Sequence, residues 1–305
     1  MLHLDKLSGI FAPIAIPFEG QELALDRLGE NLERWNKSRL RGLVVLGSNG
    51  EFPLLSEAEK ETVLRFVKQH ASSDKVLIAG TGAESTKETI RLCKLAGEIG
   101  YDACLVVNPS YYKGSMTDAA LTAFYNDVAD ASPIPVLAYN VPRNTGINMS
   151  SQLIVEVSKH ANVVGIKDSS GNVVQMSEII ARAKPGFRVF AGSGSYLLPS
   201  LCVGAVGATA AVANVFPDEC DEIYCAFKRG DLETARQLQL AILQVNAAVT
   251  TQWGVAGLKA AMDIEGYFGG LPRRPILPLG DNAKEELRKM IHEFKAKARA
   301  LMSRN

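Results

Sequence analysis

The sequence predicts an α/β protein, a (β/α)8 barrel of the TIM type with a C-terminal helical extension. Three observations carry that expectation. Eight short apolar runs alternate with amphipathic stretches at an even pace, joined by loops of a few residues. The runs are almost continuously apolar, as parallel strands buried on both faces are. No GxGxxG follows any of them, which favours closure into a barrel over an open dinucleotide-binding sheet.

Residues 10–16 form the first run, closed by Pro17, and residues 26–38 carry Leu28, Leu32 and Trp35 at helical spacing. The second run, 42–46, ends in Gly47-Ser48-Asn49-Gly50-Glu51. Ser56 then caps a helix to about Ala71, with Glu59 completing a capping box. The third run, 76–79, leads into Gly80-Thr81-Gly82, and Ser85 with Glu88 repeats the box for a helix to about Ile99. The fourth, 103–107, ends in Asn108-Pro109-Ser110-Tyr111-Tyr112, before a helix from Thr117 to about Ala131. The fifth, 135–139, leaves through Asn140-Val141-Pro142-Arg143-Asn144-Thr145-Gly146.

A helix over 150–159 precedes the sixth run, 163–166, which leads into Lys167-Asp168-Ser169-Ser170-Gly171. After a helix near 173–183, the seventh run, 188–191, ends in Gly192-Ser193-Gly194-Ser195. A short helix over 197–202 and a small eighth strand at 207–211 complete the series. Beyond Pro217 no strand-like run returns; helices are expected over 235–249, 255–266 and 283–302, interrupted by Gly254 and by the proline-containing segment 269–278. The barrel is thus expected over 1–228 and the extension over 229–305, packed on the barrel or on a partner subunit.

Composition narrows the function. Of 305 residues, 47% are hydrophobic and 22% charged, with Lys plus Arg (33) equal to Asp plus Glu (33). A zero formal charge argues against a general nucleic-acid or acidic-membrane surface. No run reaches the length of a transmembrane helix, and the N-terminal residues lack a secretory or transit pattern, so the expectation is a cytoplasmic protein. The five cysteines form no CxxC pair and suit reduced, buried thiols. The four histidines, His3, His70, His160 and His292, fall in no metal-ligand spacing, which leaves acid-base work to Lys, Tyr, hydroxyls or carboxylates.

The loops after the strands of such a barrel converge on one face. They bring there Ser48 and Asn49, Tyr111 and Tyr112, Tyr139, Lys167 and Ser169, and Ser193 and Ser195. Lys167 closes a run buried on both sides, where desolvation penalises an ammonium and favours the amine that attacks carbonyls. The competing reading is a lysine that snorkels outward and pairs with Asp168. Likewise Tyr139 suits either a core aromatic with a backbone acceptor or a proton relay, and Ser48-Asn49-Gly50 is also ordinary turn chemistry. Residues 192–195 lie where barrels bind phosphate, but no cation accompanies them. Lys113, Arg143 and Lys167 are the cations expected near this face, and they or the amides at Ser48–Gly50 suit a carboxylate.

These residues resemble the dihydrodipicolinate synthase / N-acetylneuraminate lyase superfamily of class I, Schiff-base, pyruvate-handling barrels. The resemblance spans nearly the whole chain, through Gly47-Ser48-Asn49-Gly50-Glu51, Ala79-Gly80-Thr81-Gly82, Pro109-Ser110-Tyr111-Tyr112, Tyr139-Asn140-Val141-Pro142 and Gly165-Ile166-Lys167-Asp168-Ser169. It implies that Lys167 forms the imine, that Tyr139 relays protons, and that Ser48, Asn49 and nearby amides such as Gly50 hold the pyruvyl carboxylate. It further implies that Tyr111 enters a neighbouring subunit's site in a homotetramer built as a dimer of dimers, with a small 2-keto acid and an aldehyde as ligands and no metal or organic cofactor.

Within that superfamily the departures point to a subgroup. Ser48-Asn49 stands where dihydrodipicolinate synthases carry two threonines, and their arginine before the Thr-Gly falls on Asn144, with Arg143 one residue early. The chain is most similar to 4-hydroxy-2-oxoglutarate aldolases, through Gly47-Ser48-Asn49-Gly50-Glu51-Phe52-Pro53, Val141-Pro142-Arg143-Asn144-Thr145-Gly146 and Gly266-Tyr267-Phe268-Gly269-Gly270. The resemblance implies cleavage of 4-hydroxy-2-oxoglutarate to pyruvate and glyoxylate, with Ser169 and Asn144 as contacts for the distal carboxylate. The alternatives are condensation of pyruvate with aspartate semialdehyde, cleavage of a 2-keto-3-deoxy sugar acid, and a barrel that binds a keto acid without turnover.

Overall fold

A computed structural model describes residues 4–303. The eight expected strands are present: β1 (Gly9–Pro13), β2 (Gly42–Val45), β3 (Val76–Gly80), β4 (Ala103–Val107), β5 (Val136–Asn140), β6 (Val163–Asp168), β7 (Arg188–Ala191) and β8 (Gly207–Thr209). All pair in parallel, each with its sequence neighbours, and β1 pairs with β8 to close the barrel. The lumen is filled by inward side chains of several strands, among them Phe11, Val44, Ile78, Leu105, Leu137, Tyr139 and Phe190. Phe11 and Phe190 meet edge to face at 5.5 Å between ring centres.

The first apolar run is strand only to Pro13; Ile14, Ala15 and Ile16 stay fully buried but leave the ladder. Pro17 then gives way to a hairpin, Phe18–Glu19 with Glu22–Leu23, that the sequence reading does not contain. The sixth strand runs longer than expected, through Asp168, because Tyr139 pairs with Lys167 and Asn140 with Asp168. Ser56 and Glu59 form the reciprocal capping box. At Ser85 only one half forms, since the Glu88 carboxylate bonds Arg91 instead.

The helix Pro217–Lys228 lies on β1, and three further helices follow: Leu232–Ala247, Gly254–Ile264 and Asp281–Met302. Residues 248 and 249, expected to continue the first of them, open into a π-turn at Ala248–Gln252. One hydrophobic core runs from the barrel helices into this extension, joining Leu28 and Leu32 to Leu258, Leu287 and Phe294. Trp35 stacks on Tyr267 at 5.8 Å, and Asn31 exchanges two hydrogen bonds with the Phe268 backbone. Cys93, Cys104 and Cys220 are buried thiols, whereas Cys225 is half-buried and Cys202, at the end of the short helix Leu197–Cys202, is exposed. Among the described residues no helix is long and apolar enough to cross a membrane, and no cluster of His, Cys, Asp or Glu is arranged to hold a metal ion.

Candidate active site

A break in strand geometry aims Lys167. Val136 pairs with Val163, but the next residue, Leu137, pairs with Gly165, so Val164 is an extra residue in β6. Such a bulge shifts the alternation of everything beyond it. Val164 already faces the lumen, and simple alternation would send Lys167 outward; the extra residue turns Ile166 to the helix layer and Lys167 back inward. Gly165 makes this possible, since a Cβ there would sit 2.3 Å from the Arg188 carbonyl oxygen.

Lys167 is 4% exposed, and its Nζ lies 4.4 Å from the centre of the Tyr139 ring on the paired strand. The Tyr139 hydroxyl is 3.3 Å from Ser48 Oγ. Lysine, phenol and serine hydroxyl, from β6, β5 and the loop after β2, therefore form one contiguous group. Asp168 does not pair with Lys167, because consecutive strand residues face opposite sides. Its carboxyl oxygens accept from the Ser170 amide (2.7 Å), Gln175 Nε2 (3.1 Å) and, more distantly, Asn140 Nδ2 (3.4 Å). Asn140 also donates to Asn148, which donates to Gln175, so a closed polar network braces the outer face of β5 and β6. The snorkelling alternative for Lys167 thus lacks its partner.

Ser48–Gly50 form a single 3-10 turn between Leu46 (φ 63°) and Glu51 (φ 54°). Gly50 is buried against the Ile14 carbonyl, and Asn49 Nδ2 is buried without a hydrogen-bond partner. Ser48 also lines a cleft of about 630 Å³ with Glu51, Gly82, Glu84, Asn144 and Ile276 among its walls. Ser169 donates its amide to the Asn140 carbonyl, and its side chain sits where a Cβ on Gly192 would fall. Asn144 faces the cleft, but Arg143 does not: its guanidinium donates to the carbonyls of Thr250 (3.3 Å) and Thr251 (2.9 Å) in the π-turn. Tyr111 lies outside the group within this chain; it is 79% exposed and packs edge to face on Tyr112 at 5.1 Å, its loop held by Glu84. The hydroxyls of Ser193 and Ser195 accept from Asn246 Nδ2 at 3.0 and 2.7 Å.

Residues that sequence reasoning passed over surround the loop after β2. Glu51 Oε1 lies 2.7 Å from Lys259 Nζ, both out of solvent, and Glu51 Oε2 accepts the Arg273 amide at 2.8 Å. Burial pushes the Lys259 ammonium's pKa down while Glu51 opposes that shift. Arg273 in turn pairs with Glu59 at 2.7 Å. Val255, Pro275 and Ile276 bring the extension into the cleft wall. The one signal in the sequence was Glu51 itself, adjoining Gly50 in the loop.

The profile of the Dihydrodipicolinate synthetase family matches residues 6–294. A 4-hydroxy-tetrahydrodipicolinate synthase of Exiguobacterium sp. is 33% identical over 288 residues, 94% of this chain and 98% of the relative. A protein of Emericella nidulans named as a probable mitochondrial 4-hydroxy-2-oxoglutarate aldolase is 35% identical over 291 residues, 93% and 94% of the two chains. Among solved structures, the 4-hydroxy-tetrahydrodipicolinate synthase of Methylacidiphilum fumariolicum SolV superposes with a TM-score of 0.92 at 28% identity, covering 97% of this chain and 98% of that one. A prophage protein of the dihydrodipicolinic acid synthase family from E. coli K12, solved in complex with pyruvate, gives 0.89 at 28% identity over 94% and 98%.

Proposed function

The chain belongs to the dihydrodipicolinate synthetase family of class I, Schiff-base lyases, and on that premise we propose that it splits 4-hydroxy-2-oxoglutarate into pyruvate and glyoxylate. The observation that carries the reading is the contiguous Lys167–Tyr139–Ser48 group beside a cleft whose β5 loop presents Asn144 while Arg143 is spent on the π-turn. A guanidinium turned onto the π-turn carbonyls does not line the cleft, where it would have to meet the carboxylate of aspartate semialdehyde.

In the proposed reaction the Lys167 amine attacks the 2-keto carbon and water leaves, giving a protonated imine that withdraws electrons from C3. Tyr139, relayed through Ser48 and Tyr111 of the partner subunit, removes the proton of the 4-hydroxyl as the C3–C4 bond breaks and glyoxylate departs. The enamine takes a proton at C3, and water releases pyruvate and the free lysine. Ser48, the Asn49 amide and the backbone at Gly50 hold the 1-carboxylate, while Ser169 and Asn144 contact the distal one. The exposure of Tyr111 and Tyr112 supports a homotetramer in which each Tyr111 completes a neighbour's site.

Condensation of pyruvate with aspartate semialdehyde is the second reading, favoured by the name of the Exiguobacterium relative. Steady-state turnover decides between them: release of pyruvate and glyoxylate from 4-hydroxy-2-oxoglutarate is expected to exceed consumption of pyruvate with aspartate semialdehyde. Turnover with aspartate semialdehyde alone would overturn the cleavage assignment. Borohydride added with pyruvate is expected to leave a reduced pyruvyl adduct on the peptide containing Lys167.

A further inference from the structure

We propose that Lys259 is a positioning residue for the keto-acid end of the site, acting through Glu51 to hold the Ser48–Gly50 turn against Tyr139. This inference rests on the reading of Ser48 and Asn49 as the carboxylate-binding residues. The turn is bracketed by two non-glycine residues in the left-handed region, Leu46 at φ 63° and Glu51 at φ 54°. Backbone of that kind costs free energy and persists only where its surroundings over-determine it.

The surroundings come from the extension. Glu51 is fixed at both carboxyl oxygens, Oε1 by Lys259 Nζ at 2.7 Å and Oε2 by the Arg273 amide at 2.8 Å. Lys259 is fixed in its turn, donating to the Leu271 carbonyl at 2.9 Å with its ammonium 4.3 Å from the centre of the Phe18 ring. The Arg273 guanidinium covers the same ring at 4.4 Å. The Glu51 amide donates to the Ser48 carbonyl at 3.1 Å, and Ser48 Oγ meets the Tyr139 hydroxyl at 3.3 Å. A continuous set of short contacts thus runs from Lys259 through Glu51 and Ser48 to the phenol.

Energetics argue that this pair specifies a position rather than adds stability. Both side chains are almost fully desolvated, with 1% and 0% exposure, and dehydration of two charges offsets most of their attraction. An apolar pair of like volume would hold the extension as well but would leave the Arg273 amide without its Glu51 Oε2 acceptor. Glu51 itself lies at the cleft wall, to which Pro275 and Ile276 also contribute.

Removing one partner alone strands a buried charge, so the test uses the neutral pair Glu51→Gln with Lys259→Met, next to the single variant Glu51→Gln. Folding is followed by circular dichroism, pyruvate binding by the half-saturation of borohydride trapping on Lys167, and turnover by kcat and KM. For the double variant, a native spectrum and full trapping at saturating pyruvate are expected, with half-saturation and KM raised about tenfold and kcat lowered as well, by less than KM is raised, because the turn holds both the carboxylate and the Ser48 hydroxyl at Tyr139. Should the double variant fail to fold, Glu51→Gln alone is held to the same direction of change. A folded variant with wild-type half-saturation overturns the inference by itself. A wild-type protein that yields no adduct on Lys167 overturns the reading of the site and this inference with it.

Discussion

The two halves of the site are held in place by different means. At the ends of β5 and β6, the braces of the strand residues are close in sequence: Asn140 reaches Asp168 and Asn148, Gln175 reaches Asp168, and Tyr196 reaches the Asp168 carbonyl, none more than 28 positions apart, and it is Arg143 in the loop beyond β5 that reaches the extension. The Ser48–Gly50 turn instead depends on Glu51, whose partner Arg273 lies 222 positions away. The first half carries the amine and the phenol, the second the hydroxyl and amides proposed to hold the carboxylate. The difference teaches that the Lys167–Tyr139 strand ends are braced within the barrel, while the turn proposed to hold the keto acid is braced by the extension.

The comparison is sharpest where damage to the first half should abolish chemistry. Lys167→Met keeps the stem of the side chain and removes the amine, so kcat/KM is expected to fall by about 10⁴-fold or more, with no borohydride adduct. Retained turnover would mean that another group carries the chemistry. Tyr139→Phe leaves the imine attainable but removes the proton relay; kcat is expected to fall about 10²–10⁴-fold while pyruvate trapping on Lys167 persists, which single-turnover mixing reads directly.

Asp168 tests the local bracing without touching the reacting atoms. Asp168→Ala removes the acceptor of the Ser170 amide and one of the acceptors of Gln175 Nε2, which keeps the Met149 carbonyl at 3.2 Å. A loss of about 2–4 kcal/mol in a urea titration is expected. An unchanged midpoint would break the contrast, because the first half would then need no network of its own.

How much of this is legible in the sequence follows from the same division. The barrel shows because parallel strands buried on both faces leave near-continuous apolar runs at regular intervals, and Lys167 shows because it interrupts one. That same continuity hides the bulge at Val164, since a run with no polar residue carries no record of which face each side chain takes. The extra length of β6 and the early end of β1 are set by pairing with neighbouring strands, which no single run encodes. Arg143 looks available in sequence because its partners are main-chain carbonyls, which any residue supplies. Lys259 and Arg273 look like ordinary surface cations of helical and proline-containing segments. Only the closure of the chain over the hairpin at Phe18 brings them to Glu51.

The smallest expected effect lies at the rim of the second half, where Arg273 also holds Glu59. The hydrogen bond from Arg273 keeps the Glu59 carboxyl at about 2, against an ordinary 4.5. A carboxyl whose folded value is depressed contributes stability that is full above its ordinary value and lost as pH falls through the folded one. Between about pH 4.5 and pH 2 the clasp should therefore weaken. Solvent reaches the Glu59 side, so the contribution is expected at under about 1 kcal/mol, or about 2 °C in Tm. Glu59→Gln should lower Tm by that amount at pH 7 and flatten the dependence of Tm on pH across the acid window. An identical acid slope in the variant would show that the rim pair does not carry it, and would confine the extension's grip on the loop to Glu51 and Lys259.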